Sequence, residues 1–131
     1  MSSSDLRDTV RATVGNLRSL LVASRDNATA RQLRSADCID SEEAYQRILE
    51  CALAVEYYDQ SAQEWVEYGE ILDRGLEIKL ARIWLTIGGP DIWIVGPYRT
   101  AGEWVMYGCW YSEERIVSRS WVCKALAGYI L

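Results

Sequence analysis

Carboxylates are the side chains of this sequence best suited to chemistry. The 131-residue chain contains no histidine, which excludes histidine-based Ser or Cys triads, Cys/His zinc sites and histidine proton shuttles. Two adjacent acidic pairs, Glu42–Glu43 and Glu113–Glu114, have the residue types of a general acid and base. Neighbouring side chains point apart on a helix or strand, so we interpret the first pair as helix capping and the second as a solvated turn. The sequence therefore predicts no catalytic residue, no metal site and no cofactor.

Acidic residues are concentrated in the middle of the chain. Positions 37–77 hold twelve acidic and two basic residues, a net charge of −10, whereas positions 1–36 carry +3 and positions 78–131 carry +2. Several recur at roughly helical spacing, so we expect one helical face with a directional negative field. A purely solvated helix surface is the alternative. The predicted partner-binding residues combine this acidic face with its aromatic neighbours: Glu56, Tyr57, Asp59, Glu64, Trp65, Glu67, Tyr68 and Glu70.

Tryptophans mark a second candidate surface in the C-terminal half. In the runs 82–88 and 91–96, aliphatic residues alternate one-for-one with Trp84, Thr86, Trp93 and Val95. This period of two predicts strands with an aliphatic face and a tryptophan face. If Gly89 and Pro90 form a two-residue turn, Trp84 lies opposite Val95 and Thr86 opposite Trp93.

The third alternating run, 103–111, is expected to follow the same scheme. The predicted self-association face then consists of Trp84, Trp93, Trp104 and Trp110. An aromatic face of this size needs a cover. The remaining chain, a second copy and a foreign protein are the three candidates for it.

Amphipathic helices are predicted to precede these strands. From Asp5 to about Ala23 the apolar residues fall at steps of four and three, with Ser3 or Ser4 as the N-cap. A second helix is predicted to begin at Asp40 and to bury Ala44, Ile48, Cys51, Val55 and Tyr58. The helical pattern restarts at Ser61 and runs to Gly75, and Ser118 or Ser120 is expected to cap a short terminal helix.

These elements predict one α+β domain over residues 1–131, helical in 1–74 and with a sheet plus terminal helix in 75–131. N-terminal helices are expected to pack on a three- or four-stranded antiparallel sheet. The four cysteines form no C-x-x-C pair, and we interpret them as buried thiols. No secretion signal or membrane segment is apparent, so we expect a cytosolic protein that does not bind membranes.

Direct binding of nucleic acid is a weaker interpretation. Phosphate contacts need clustered basic residues, yet the chain has only two lysines, Lys79 and Lys124. Arg82 beside Trp84 and Trp104 has the composition of a stacking platform for single strands, but the acidic segment would repel such a ligand. A carboxylate-dependent enzyme is a further alternative, and it would require acids that converge in a pocket.

One motif carries a resemblance to known proteins. It runs Trp84-Leu85-Thr86-Ile87-Gly88-Gly89-Pro90-Asp91-Ile92-Trp93-Ile94. The motif resembles a group of small, mostly uncharacterised proteins of phages and mobile elements. Those proteins share a helical first half, a strand ending in Gly-Gly-Pro and a strand with Ile-Trp. The resemblance covers the C-terminal part of the chain and transfers no catalytic residue.

The resemblance implies an inhibitor of a host defence protein, because small acidic phage proteins such as anti-CRISPR proteins often act in this way. We therefore expect a protein in the host bacterial cytoplasm that sterically blocks a nucleic-acid-binding effector with a basic surface. The acidic residues would form the contact. A structural or regulatory homodimer, closed through the tryptophan face, is the alternative function.

Overall fold

The computed structural model of the protein describes residues 3–110 and 114–131, and the side chains of residues 5–110 and 117–131. Within these residues the chain forms five helices and six strands. The helices are α1 (Ser3–Ala23), α2 (Ala30–Ser35), α3 (Ser41–Glu50), α4 (Tyr68–Arg74) and α5 (Trp121–Ile130). The strands are β1 (Ala54–Asp59), β2 (Glu64–Val66), β3 (Leu80–Thr86), β4 (Asp91–Pro97), β5 (Val105–Trp110) and β6 (Glu114–Ser118).

The strands form one antiparallel sheet in the order β2-β1-β3-β4-β5-β6. The α+β class and the N-terminal and C-terminal helices agree with the sequence prediction, but the prediction of three or four strands is wrong. The two additional strands at the β2 edge, β1 and β2, come from the segment that was predicted to be helical. The sixth, β6, follows β5 at the opposite edge.

Helix α1 forms the centre of the helical layer. Its buried stripe contains Leu6, Val10, Val14, Leu17 and Leu21, as the spacing predicts. A methyl group on Gly108 of β5 would overlap Val10, so the missing side chain at this position lets α1 lie close against the sheet. The predicted caps Ser3 and Ser4 lie outside the described side chains.

Helix α3 begins where the sequence predicts but ends early. The Asp40 side chain accepts a hydrogen bond from the Glu43 backbone N–H at 2.8 Å and caps the helix, which ends at Glu50. The predicted stripe through Val55 and Tyr58 is wrong, because residues 54–59 form β1 and pair with β3. β-Branched and aromatic residues favour a strand here once a partner strand is available.

The hairpin of β3 and β4 keeps the predicted faces but not the predicted register. Trp84 pairs with Trp93, and a register shift lies between Trp84 and Thr86. Aliphatic side chains such as Ile83 and Ile94 are fully buried beneath the helices, whereas both tryptophans lie on the opposite face. The loop that joins the strands therefore contains more than a two-residue turn.

The face of the sheet under α1, α3 and α5 is the inner face, and the opposite face is called the outer face. The main core lies between the inner face and these helices, with Ile48 of α3 and Leu126 of α5 fully buried in it. Helix α4 packs on the same side, through the ring contact of Tyr68 with Tyr57. A smaller cluster of Ala23, Cys38 and Ala44 lies under α2.

The cysteines are free thiols, with Cys38, Cys109 and Cys123 buried and Cys51 partly buried. No helix in the described ranges is long and apolar enough to cross a membrane. The predicted solvated turn at Glu113–Glu114 and the strand end at Tyr111 lie outside the residues whose side chains are described.

Candidate functional site

The first candidate surface is an acidic lobe, defined as residues 59–77. It comprises the end of β1, the strand β2, the helix α4 and the turn that follows the helix. Six carboxylates accompany a single basic side chain, Arg74; they belong to Asp59, Glu64, Glu67, Glu70, Asp73 and Glu77. The lobe lies at the β2 edge of the sheet, with α4 on the same side as the other helices.

Arg74 holds the acidic lobe together. Its guanidinium is 3.0 Å from the Asp59 carboxylate and 3.2 Å from that of Glu64, and Glu70 is 3.6 Å away. These contacts attach the last turn of α4 to the β1–β2 hairpin. Gly75 then ends the helix in the left-handed conformation, at φ 60°, as its predicted position indicates.

Two of the predicted partner-binding residues are buried. Asp59 is only 3% exposed, and its carboxylate accepts hydrogen bonds from the backbone N–H groups of Ser61 and Ala62. Tyr57 points into the core, where burial raises its pKa above the ordinary value of 10.0, and the neighbouring Tyr98 and Tyr68 raise it further. Asp59 and Tyr57 are therefore structural residues beneath the lobe and are not part of its exposed surface.

The exposed part of the lobe combines free carboxylates with apolar side chains. Glu67, Asp73 and Glu77 are exposed and form no ion pair with any residue that the structure describes. Tyr68 and Leu72, one turn apart on α4, are 50% and 66% exposed. Glu64, Glu67, Tyr68 and Glu70 of the predicted set thus share this lobe.

The second candidate surface is the outer face of the sheet. A row of aromatic rings crosses three neighbouring strands. The Trp84 and Trp93 ring centroids are 5.1 Å apart, and Trp93 stacks on Tyr107 at 5.7 Å with an interplanar angle of 18°. Val117 of β6 pairs with Tyr107 and extends the row to the edge strand. The row is therefore an apolar band across four strands.

Arg82 and Glu56 lie beside this row. The Arg82 Nε donates to the Glu56 carboxylate at 2.9 Å, and the same carboxylate oxygen accepts from the Trp84 indole N–H. The guanidinium carbon is 4.2 Å from the Trp65 ring centroid and 4.8 Å from that of Trp84. Glu56 and Trp65, predicted as parts of an acidic helix, therefore lie on the outer face.

Two of the four predicted face tryptophans lie on the inner side of the sheet. Trp104 is 7% exposed, belongs to the main core and covers Gly96 of β4. Trp110 is partly buried and packs against the same core. The assignment of Trp104 and Trp110 to the outer face is therefore wrong, because the pairing of Tyr107 with Trp93 turns the odd-numbered residues of β5 outward.

A cleft separates the two surfaces. It is lined by Tyr58, Gln60, Lys79 and Leu80 and has a volume of about 480 Å³. Tyr58 forms an edge-on contact with Trp65, with ring centroids 5.2 Å apart, so the aromatic surface continues into the cleft. A side chain of a bound macromolecule would fit here.

Sequence reasoning missed Arg74, Tyr107 and Leu72. Arg74 is the single basic residue of positions 59–77, and this isolation is a signal for a buried or shared ion pair. The outward position of Tyr107 depends on strand pairing, for which the sequence carries no local signal. Among the described residues, no group of three or more Cys, Asp or Glu side chains is arranged to hold a metal ion.

No protein-family model matches the chain, and comparisons with curated proteins and with solved structures give no significant match. The function must therefore be argued from the two surfaces themselves.

Proposed function

We propose that this protein binds a basic protein surface through its acidic lobe and blocks that surface sterically. The observation that carries the proposal is the pairing of exposed carboxylates with exposed apolar side chains on α4. Glu67, Asp73 and Glu77 have no described ion-pair partner, and Tyr68 and Leu72 lie among them. Apolar anchors surrounded by charge are typical of protein recognition sites.

The charge of the lobe defines the chemistry of the partner. The free carboxylates of Glu67, Asp73 and Glu77 attract lysine and arginine side chains, and arginine binds a carboxylate through two parallel hydrogen bonds. A groove that normally holds nucleic acid presents such side chains. The resemblance of the Trp84–Ile94 motif to phage and mobile-element proteins makes a nucleic-acid-handling protein of a bacterial defence system the partner class that we propose.

The internal ion pairs of the lobe make this surface rigid. Arg74 fixes α4 against the β1–β2 hairpin, so Tyr68 and Leu72 are presented on an ordered element. A preorganised surface loses less conformational entropy when it binds. The lobe is therefore suited to steric occlusion without chemistry.

The experiment neutralises only the carboxylates that the fold does not use. The lobe variant is Glu67→Gln/Asp73→Asn/Glu77→Gln. Its control, Asp26→Asn/Glu42→Gln/Glu50→Gln, removes the same charge from other exposed positions without a described ion pair. Wild type and both variants are used to capture proteins from bacterial lysates, and captured proteins are quantified by mass spectrometry.

We expect a captured protein that binds nucleic acid, is retained by the control and is lost with the lobe variant. Purified wild type should then compete with nucleic acid for that protein, and its direct binding to that protein should weaken as salt rises. Equal capture by both variants, or capture without competition, would contradict the proposal.

A further inference from the structure

The outer face of the sheet has no cover within the described chain, although it is the more apolar of the two candidate surfaces. Helices α1, α3 and α5 pack on the inner face, and α4 contacts Tyr57, which also points inward. The rings of Trp84, Trp93 and Tyr107 remain partly exposed on the outer side. Val117 and Leu80 beside them are 46% and 41% exposed.

The charge at the centre of the outer face is balanced. Arg82 and Glu56 neutralise one another, and Val95 and Val105 pair across the next two strands. The carboxylate of Asp91, at the start of β4, accepts the Gly88 backbone N–H, and the face has no surplus basic charge among its described side chains. This composition matches another apolar, neutral face and not a phosphate backbone, which needs unpaired basic side chains.

The size of the face is close to what a stable dimer needs. Six strands about 4.8 Å apart span about 24 Å, and strands of about six residues span about 20 Å. Two such faces that overlap fully bury about 1,000 Å² in total, which is near the lower bound for a specific interface. Side chains that project from the sheet make the accessible area larger than this flat rectangle.

The charge distribution selects one orientation for two facing copies. The β2 edge carries the acidic lobe, whereas Arg7 and Arg11, beside the β6 edge, belong to α1 on the helical side. A two-fold axis parallel to the strands, between β3 and β4, places the acidic edge of each copy opposite the β6 edge of the other and keeps the two lobes apart. An axis across the strands would bring the two acidic lobes together, which is repulsive.

We propose that the outer face is closed by a second copy of the chain, in a two-fold dimer with the Trp84–Trp93 pair at its centre. The order of the strands in the sheet supports this centre, because β3 and β4 are the middle two of six strands. Trp84 of one copy then contacts Trp93 of the other. This inference does not rest on the proposed function, because α4 packs on the helical side of the sheet, away from the face that the second copy covers.

The test is the solution mass of the full chain by light scattering at two concentrations, in low salt and in 1 M NaCl. We expect twice the chain mass of 14.9 kDa, retained at high salt because the central contact is apolar. Val95→Lys and Leu80→Lys place a charge on the face and should weaken the dimer at least about tenfold. Leu80 is already exposed, so Leu80→Lys is expected to leave the monomer folded. It therefore tests the dimer even where Val95→Lys unfolds the chain.

The matched control is Ile39→Lys, an equally apolar-to-charged change at a side chain that is 85% exposed on the helical side. It should leave the mass of the dimer unchanged. A monomeric wild type at about 100 µM, well above a micromolar dissociation constant, would overturn the inference. A dimer that Leu80→Lys leaves intact would overturn it too.

A second arm uses a single-stranded oligonucleotide and fluorescence anisotropy. The Leu80→Lys change breaks a dimer but does not weaken the binding of an anionic strand. If wild type is a monomer that binds the oligonucleotide, and Leu80→Lys binds it equally well, then the face is a stacking platform and the dimer is wrong.

Discussion

Glu56 and Arg82 form an ion pair on the outer face of the sheet, with the Arg82 Nε 2.9 Å from the Glu56 carboxylate. The two residues are directly paired on β1 and β3. The same carboxylate oxygen accepts the Trp84 indole N–H, so one acidic side chain sets the positions of a guanidinium and of an indole ring. Removal of this carboxylate should therefore loosen the start of the aromatic row.

We expect Glu56→Ala to lower the free energy of unfolding by about 1–3 kcal/mol, because it leaves two partly buried donors without an acceptor. Glu56→Gln should cost less, since its amide oxygen still accepts from Trp84. Urea denaturation monitored by tryptophan fluorescence measures both. Glu50→Ala, at an exposed glutamate without a described ion pair, is the control. Equal stability of Glu56→Ala and wild type would contradict the assigned role.

Asp59 is expected to be the most sensitive carboxylate of the acidic lobe. It is almost fully buried, accepts two backbone hydrogen bonds and pairs with Arg74. Asp59→Ala should lower the free energy of unfolding by about 2–4 kcal/mol because all three donors lose their acceptor. Asp73→Ala, a change at an exposed aspartate of the same lobe, should have little effect. A similar urea midpoint for the two variants would show that Asp59 is not the structural centre of the lobe.

Two glycines should respond to alanine in opposite directions. At Gly96 a methyl group would overlap the indole ring of Trp104, so Gly96→Ala should destabilise the protein by about 1–3 kcal/mol. At Gly15, in the middle of α1, a methyl group meets nothing within 4 Å. Gly15→Ala should therefore stabilise by about 0.5–1 kcal/mol through helix propensity. Thermal denaturation of both variants tests the placement of Trp104 on the inner face, which a stable Gly96→Ala would refute.

The stability of the protein should fall at alkaline pH. Burial raises the pKa of the Cys123 thiol above its ordinary value of 9.0, and backbone hydrogen bonds lower it by a smaller amount. The unfolded chain ionises this thiol from about pH 9 while the folded chain keeps it protonated, so stability present below pH 9 is lost as the pH rises. The buried Tyr57 acts in the same direction above pH 10.

Urea midpoints between pH 7 and pH 10 measure this dependence. We expect a constant midpoint up to about pH 8 and a decline above pH 9. Cys123→Ala should decline less steeply than wild type, whatever its stability at neutral pH. Parallel declines of the two proteins would show that another group is responsible.

Local sequence patterns were sufficient to predict an element wherever its caps and its buried face depend on residues within that element. Helix α1 follows from the spacing of its apolar residues, Asp40 and Ser120 cap the helices α3 and α5, and Gly75 ends α4. The alternation in β3 and β4 separates an aliphatic face from a tryptophan face. Each of these features depends on residues that are close in sequence, and their hydrogen bonds or burial follow from the period alone.

The segment 54–66 shows where such patterns are insufficient. Val55 and Tyr58 meet a helical spacing, but Val55, Tyr57 and Tyr58 also favour a strand. Pairing with β3 decides between the two conformations, and this partner lies more than twenty residues away. Once β1 forms, Tyr57 turns inward and Glu56 outward, which divides the predicted acidic surface between the core, the outer face and the lobe.

The sequence by itself determined the fold class, the acidic segment, the aromatic content of the strands, the starts of α3 and α5 and the end of α4, because these depend on composition and local spacing. Only the tertiary structure decided which aromatic rings share a face and which carboxylates are free. Strand register places Tyr107 beside Trp93 and turns Trp104 and Trp110 inward. Arg74 forms ion pairs with three carboxylates across the lobe. Such long-range contacts select one partner from many with the same local chemistry, so no local pattern encodes them.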